Sequence, residues 1–253
     1  MDDIEKIINI NTKKKQPVVG VIIQARMTSQ RLPGKPMLIL KGKPVLEHVI
    51  RNAKEIRPVD KVILAVPDTD ESEPMLKLAK SLHILNFCGK ENNVLNRYYE
   101  AAKYHGLDVI VRITGDCPFV NPKVCSEILQ LLLWRKLDYC SNIEPIRSYP
   151  KGMDCEVFTM DCLEAAELMV NLPERTQEEI KLDALNIITE DAKKYRYDRE
   201  HVTPWMQRTK EIKKANVIQK NDCSHINLCV DVAEDLIRLE KYTFSIGAKN
   251  DNR

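Results

Sequence analysis

The chain is most easily bounded by what it does not contain. Across its 253 residues no run approaches the roughly 20 consecutive apolar residues that span a bilayer. No spanning helix and no membrane partner are therefore expected. Neither sign of charge prevails: 39 Lys and Arg stand against 37 Asp and Glu, a net charge of +2. Nucleic-acid-binding domains usually carry a clear basic excess, so a nucleic-acid partner is not expected either. The first residues are acidic at Asp2, Asp3 and Glu5 and lack the apolar core of a secretory signal. A cytoplasmic location follows as an expectation. There is no internal repeat and no low-complexity tract. There is no G-x-x-x-x-G-K-[ST] phosphate loop and no G-x-G-x-x-G dinucleotide fingerprint. Eight cysteines are present without a C-x-x-C pair. Cys88, Cys117 and Cys140 lie in apolar segments or at their ends. Zinc or a disulfide framework would be the functional reading; small buried side chains in a reducing compartment is the one preferred.

What the chain does contain is an alternation. Its length suits one large α/β domain or two smaller ones. Residues 1–16 form a polar leader ending in Lys13, Lys14 and Lys15, read as a solvated linker. Short apolar runs then alternate with helix-period segments. Strands are expected at Val18–Ile23, Lys61–Val66, His83–Phe87 and Asp108–Ile113, with a short one in "DYCSN". Helices are expected at Val45–Ile56, Glu73–Ser81, Val94–His105 and Pro122–Lys136. The second half adds a strand at Cys155–Phe158 and a helix at Asp161–Val170. The charged stretch Leu172–Tyr197 reads as an inserted helical segment or a cover. Ile226–Val230 reads as a strand, and Asp231–Tyr242 as a closing helix with Asp231 at or near its N-cap. Strands alternating with helices imply a parallel, doubly wound sheet, which binds ligands at the carboxyl ends of its strands.

Three such ends carry chemistry. The first is "VVGVIIQARMTSQRLPGKP", Val18 to Pro36, where a buried strand opens into a loop bearing Arg26, Arg31 and Lys35 beside Thr28, Ser29 and Gly34. Arg can grip phosphate oxygens in a bidentate fork, Lys adds a compact charge, and Gly lets the backbone come close. The second is "VRITGDCPFVNP", Val111 to Pro122, where a strand ends in Thr114, Gly115 and Asp116. Asp116 either caps the following turn or holds Mg²⁺ on a triphosphate. The third is "HINLCVDVAEDL", His225 to Leu236. There Asp231 is either a helix cap or a second carboxylate for the same metal. Arg112, inside its strand, is expected to pair with a buried acid, and His48 to be structural. Asp154 and Glu156 alternate, so both are expected on one face. His201 in "DREHVTPW" either meets an acceptor, by binding its carboxylate or acting as a base, or caps a helix start beside Pro204.

Together these segments resemble a known family. "IIQARMTSQRLPGKPML" is similar to the signature of the cytidylyltransferases that make CMP-sugars, the group of the CMP-Kdo and CMP-acylneuraminate synthetases. The SpsF-like branch, named for spore coat polysaccharide biosynthesis, is closer still. "NVLNRYYEAAK", "VRITGDCPFVNP", "YPKGMDCEVF", "REHVTPW" and "DVAEDL" follow its motifs in order, over about residues 18–242. The resemblance implies an α/β, Rossmann-like nucleotidyltransferase domain of the nucleotide-diphospho-sugar transferase type. Its sheet would be doubly wound and mostly parallel, spanning 17–242 after a flexible leader and before a tail at 243–253. A small acceptor and dimerisation element would lie at about 142–210, making a homodimer. It implies transfer of CMP from CTP to a sugar acid, with release of pyrophosphate and Mg²⁺ as cofactor, for surface polysaccharide biosynthesis. By motif, Arg26, Lys35 and Asp116 would be catalytic. Gln24, Ala25, Arg26, Ser29, Arg31, Lys35, Thr114 and Gly115 would hold the nucleotide, with Arg97 near the base. Asp116 and Asp231 would bind the metal, and Asp154, Glu156, Arg199 and His201 would face the acceptor.

The chain departs from the pattern at "NNVLNR", where Asn93 and Asn96 replace two aspartates. If those acids orient Arg97, base selection is altered. Other readings stay open at this point: a nucleotide-sugar-dependent glycosyltransferase of the same fold, with "DCE" at 154–156 as an acidic metal motif; a nucleotidyltransferase using another triphosphate and a sugar phosphate; and a catalytically silent nucleotide-binding module.

Overall fold

The buried apolar runs become the middle of a sheet. A computed structural model describes residues 16–171 and 190–242. The leader to residue 15, residues 172–189 of the charged stretch and the tail from 243 lie outside them. The strands are β1 (Val19–Gln24), β2 (Ile39–Leu40), β3 (Lys43–Pro44), β4 (Lys61–Pro67), β5 (Leu85–Gly89), β6 (Val109–Thr114), β7 (Tyr139–Ser141), β8 (Glu156–Thr159) and β9 (Lys214–Asn216). The helices are α1 (Val45–Lys54), α2 (Glu73–Ser81), α3 (Val94–Tyr104), α4 (Pro122–Arg135), α5 (Met160–Asn171), α6 (Glu190–His201), α7 (Pro204–Arg208) and α8 (Ala233–Glu240).

Seven strands form one sheet in the order β5-β4-β1-β6-β8-β7-β9, and β2 pairs with β3 in a separate antiparallel ribbon. β5, β4, β1 and β6 are mutually parallel. β8 runs against both its neighbours, β6 and β7, while β7 and β9 are parallel. The fold is thus α/β and mostly parallel, with one reversed strand that the hydrophobic pattern did not reveal.

Successive side chains on a strand point to opposite faces. Val21 and Ile23 of β1, Leu64 and Val66 of β4, and Val111 and Ile113 of β6 pack with α1, α2, α4 and α8. Ile22, Ile63, Ala65 and Ile110 pack on the other face with α3, α5 and α7. Both faces are buried, which is why these strands read as continuous apolar runs. Helix starts follow local chemistry. The Asn93 side chain accepts the Asn96 amide at 3.0 Å to start α3, and Asn121 accepts the Lys123 amide at 2.9 Å to start α4.

Two strand expectations are corrected. Ile226–Val230 is not a strand: its backbone makes only a single bridge, Lys151 to Asn227. Its amides are satisfied one at a time, Leu228 by Lys151 and Val230 by Asp116, so no ladder extends. Asp231 lies near the N-cap of α8 as expected: the cap is Val232 and the helix begins at Ala233. The Asp235 carboxylate, inside the first turn, takes the amides of Asp231 and Val232 at 2.8 and 3.0 Å. The Asp231 side chain is thereby released for other work. His83–Phe87 also shifts: His83 lies in a turn at φ 53°, and β5 starts at Leu85.

Candidate active site

From β1 the chain winds outward through β4 to β5, then returns to the other side of β1 as β6. Such a reversal opens a crevice at the strands' carboxyl ends. Gln24 and Thr114 close the two strands opposite one another. The Gly115 amide donates to the Gln24 carbonyl at 2.8 Å. A Cβ on Gly115 would lie 2.9 Å from both the Ala25 Cβ and that carbonyl, so only glycine permits this approach. Ala25 is buried against it, and Gln24 Oε1 is buried with no partner among the described residues.

The loop after β1 curls over the crevice. Gly34 adopts φ 71° and donates to the Met27 carbonyl at 2.9 Å. Ser29 accepts the Leu32 amide at 3.4 Å, and Pro36 buries its ring. This path carries Lys35 between two carboxylates. Its ammonium donates to Asp116 Oδ2 at 2.5 Å and to Asp231 Oδ1 at 3.2 Å. Arg31 reaches the same Asp231 oxygen at 2.9 Å. Arg26 lies 3.4 Å from Glu200 at the end of α6. The Val230 amide bonds the Asp116 carbonyl at 2.9 Å, tying the two aspartate segments together. Burial would lower Lys35 and raise Asp116, but their mutual attraction outweighs it. Lys35 sits above its ordinary pKa and Asp116 below its own. The Thr114 hydroxyl contacts Cys117 Sγ at 3.0 Å behind them.

Arg97 is only 2% exposed. Its guanidinium donates to the Lys90 carbonyl at 2.6 Å, and Nε has no partner among the described residues. Burial, reinforced by the nearby cation of Arg26 and only partly opposed by Tyr98 and Glu91, brings its pKa down to about 10. Asn93 and Asn96 do not orient it. They turn instead to α5, where Asn93 meets Asn171 and Asn96 meets Glu167.

The four residues expected to face an acceptor differ in burial and partners. Asp154 precedes β8 and forms a fork with Arg147, at 2.5 and 2.9 Å. Glu156 is 1% exposed and lies within the sheet. It pairs with Arg112 at 2.5 Å and accepts from the Tyr139 hydroxyl at 2.6 Å and from Gln207 at 3.1 Å. The expected buried partner of Arg112 is therefore Glu156, opposite it in register. Asp154 lies two residues ahead of Glu156, where β8 begins. Arg199 donates to Asn171 Oδ1 at 2.9 Å and to the Val170 carbonyl at 3.3 Å. His201 closes α6 rather than starting a helix, and its ring packs 4.2 Å from that of Tyr197. Burial, with Arg112 and Arg26 nearby, lowers its pKa despite Glu200 and Asp198, so it is neutral at pH 7. Val202 follows in a left-handed conformation, φ 72°, fully buried. A β-branched residue there holds local strain.

Sequence reasoning missed Arg147, Glu200, Asn171, Glu167 and the buried Asp198, which forms a bidentate pair with Arg208. Their partners lie up to 174 positions away, so no local spacing announces them. Only the charge of "DREH" hinted that α6 has neighbours to meet. Among the described residues no group of three or more acids, histidines or cysteines converges as a metal cage. The cysteines are all free, five buried and three partly buried. No described helix is long and apolar enough to cross a membrane.

Comparison with known proteins bears on this arrangement. An uncharacterized protein of Methanocaldococcus jannaschii is 31% identical over 231 residues, covering 89% of this chain and 84% of its own. The spore coat polysaccharide biosynthesis protein SpsF of Bacillus subtilis is 28% identical over 165 residues, 64% of this chain and 67% of its own. A 3-deoxy-manno-octulosonate cytidylyltransferase of Anaeromyxobacter is 34% identical over 116 residues, 45% of this chain and 46% of its own. A solved cytidylyltransferase from Leptospira borgpetersenii superposes with a TM-score of 0.75 at 28% identity, covering 88% of this chain and 84% of that one. The sequence pattern of the cytidylyltransferases matches from Gly20 in β1 to Tyr242 beyond α8, a span that includes every strand and helix bordering the crevice. The chain belongs to the cytidylyltransferase family, and its enzymatic class is that of a nucleotidyltransferase.

Proposed function

We propose that the protein transfers CMP from CTP to a sugar acid of the Kdo or nonulosonic type, releasing pyrophosphate, in the making of a surface polysaccharide. The observation that carries this is the Lys35 ammonium held between Asp116 and Asp231 at the reversal of the sheet, with Arg31 on the same carboxylate. A polyphosphate needs cations on its oxygens, and a divalent ion needs hard carboxylate oxygens. Both are present within one cluster. The 3-deoxy-manno-octulosonate cytidylyltransferase and SpsF support the acceptor class and the pathway.

In this reading Arg26, Arg31 and Lys35 exchange their carboxylate partners for phosphate oxygens when CTP binds. Ser29 and the Gly34 turn shape the loop around them, and Gln24, Ala25, Thr114 and Gly115 form the floor. Arg97, buried without a carboxylate partner among the described residues, takes its place near the base. An acceptor hydroxyl oxygen attacks the α-phosphorus, and the bond from that phosphorus to the bridging oxygen breaks. Pyrophosphate leaves in line with both electrons of that bond, and the hydroxyl proton passes to solvent. Such a transfer depends on positioning and charge rather than a covalent nucleophile.

The donor set fits Mg²⁺, which takes one or two carboxylates together with phosphate and water. Asp116 and Asp231 would hold it, and bound there it would offset charge on the phosphate oxygens. Arg199 and His201 border the acceptor side through α6, and Asp154 through the segment entering β8. Leu168 and Met169 of α5 and Tyr197 of α6 are exposed, which supports a homodimer through this side. Sedimentation velocity of the purified protein checks that point.

The test is pyrophosphate release with Mg²⁺, comparing CTP with ATP, GTP and UTP against a panel of sugar acids and sugar phosphates. Release is expected with CTP and one sugar acid. Tight CTP binding without release from any pair would refute turnover. Absence of triphosphate binding, with binding of a nucleotide-sugar, would replace the proposal by glycosyl transfer.

A further inference from the structure

Five polar side chains from three helices meet behind α6. Glu167 on α5 accepts from Asn96 Nδ2 at 2.7 Å and from Asn171 Nδ2 at 2.6 Å. Asn171 Oδ1 accepts from Asn93 Nδ2 at 2.9 Å and from Arg199 Nε at 2.9 Å. Asn93 Oδ1 in turn caps α3. The donors and acceptors admit one consistent assignment. An ionised carboxylate only accepts, so Asn96 and Asn171 must both turn their NH₂ groups to Glu167. Asn171 is then obliged to present its oxygen to Arg199. The orientation of one amide, set by Glu167, thus decides whether α6 is held. All five side chains are partly buried, where such bonds are stronger than in open water.

α6 is the element that needs holding. Its next residue after Arg199 is Glu200, which pairs with Arg26 of the loop over the crevice. His201 follows, with the strained Val202 behind it. We propose that Glu167 is a positioning residue. Through Asn171 it fixes Arg199, and so sets the last turn of α6 as the acceptor-side wall of the site. The part concerning the acceptor rests on the function proposed above; the part concerning α6 does not.

The carboxylate can be moved to separate this from a general effect on stability. Asn96→Asp puts a second carboxylate against Glu167 and deprives it of a donor. An acid in the first turn of α3 is favourable for that helix. A loss on the acceptor side would therefore not come from weakening α3. In the pair Asn96→Asp/Glu167→Gln, the introduced carboxylate accepts from the new amide NH₂ while the amide oxygen accepts from Asn171, so the knot is restored with its charge relocated.

The experiment measures amide hydrogen exchange across residues 194–201 of the full chain, and steady-state constants for CTP and acceptor. Asn96→Asp and Asn171→Ala are each expected to speed exchange in that segment at least fivefold, with β1 and β6 unchanged. The acceptor KM should rise at least fivefold while that for CTP stays within twofold. The double variant should return both measures to within twofold of the wild type. Unchanged exchange in both single variants overturns the proposal, as does a parallel rise in both constants or a double variant no better than Asn96→Asp. If the wild type turns over no pair tested, the exchange measurement alone decides the role of Glu167, and the failure belongs to the proposed reaction.

Discussion

An ammonium lying between two carboxylates ties its own titration to theirs. Asp116 is lowered, so its contribution to stability is present above the ordinary carboxylate value of about 3.9 and is lost as pH falls through its lower folded value. Lys35 is raised, so its contribution is present below about 10.4 and is lost as pH rises through its higher folded value. The stability difference between the wild type and Lys35→Ala should therefore be widest between about pH 5 and pH 9 and shrink on either side. Urea unfolding across pH measures it, and a difference flat from acid to alkali would exclude the pairing. The same substitution should cut turnover at least tenfold, about 1.4 kcal/mol of transition-state stabilisation. Gly115→Ala tests the close approach of β1 and β6. Its methyl group meets backbone at 2.9 Å and should cost about 1–3 kcal/mol in urea unfolding. At this scale the sequence was informative where a residue's type implies its chemistry. Lys35, Asp116 and Asp231 stood out as strand-end charges. The capping role went to Asp235 instead of Asp231 because a carboxylate within the first turn can reach back to the same amides.

Among the elements, β8 departs furthest from a simple alternation of strand and helix. Its period and apolar content made it legible as a strand, and its direction was not. β8 enters between β6 and β7 and runs against both, and period and composition carry no record of direction. The Arg112–Glu156 pair spans β6 and β8 with both side chains largely buried. Glu156→Ala leaves that guanidinium, and the Tyr139 hydroxyl, without their acceptor. Breaking such a pair from one side costs about 3–5 kcal/mol, measurable as a lowered urea midpoint. A change under about 1 kcal/mol would show that water reaches Arg112 there. The apolar 226–230 segment misled for a related reason. Leu228 and Val230 are buried, but the segment's amides go to Cys223, Lys151, the Asn227 side chain and Asp116, and hydrophobicity does not report hydrogen-bond partners.

For the whole molecule, the eight cysteines offer a simple check on the burial pattern. Cys88, Cys223 and Cys229 are partly accessible and the other five are buried. An aromatic disulfide reagent should titrate at most three thiols in the native protein and eight after denaturation. More than three fast thiols in native conditions would mean that the sheet's faces are open. The general plan of the chain was legible because both faces of the parallel strands are covered, and that leaves long apolar runs. The proposed acceptor side was less so. Its contacts join α3, α5 and α6 through side chains distant in sequence, and periodicity carries no trace of such pairs.

One consequence of the reversed strand concerns how the enzyme could change over time. Because β8 runs against its neighbours, its beginning, not its end, lies on the rim where the other strands finish. The rim is therefore assembled from two parts of the chain. One part grows from the ends of β1 and β6. The other is delivered by the connection from β7 into β8, residues 142–155, where Lys151 and Gly152 lean on residues 227–229 ahead of Asp231. If the proposed reaction holds, a lineage could adjust its acceptor by editing the exposed part of that connection, and a library confined to residues 143–146 would retrace such a step in the laboratory.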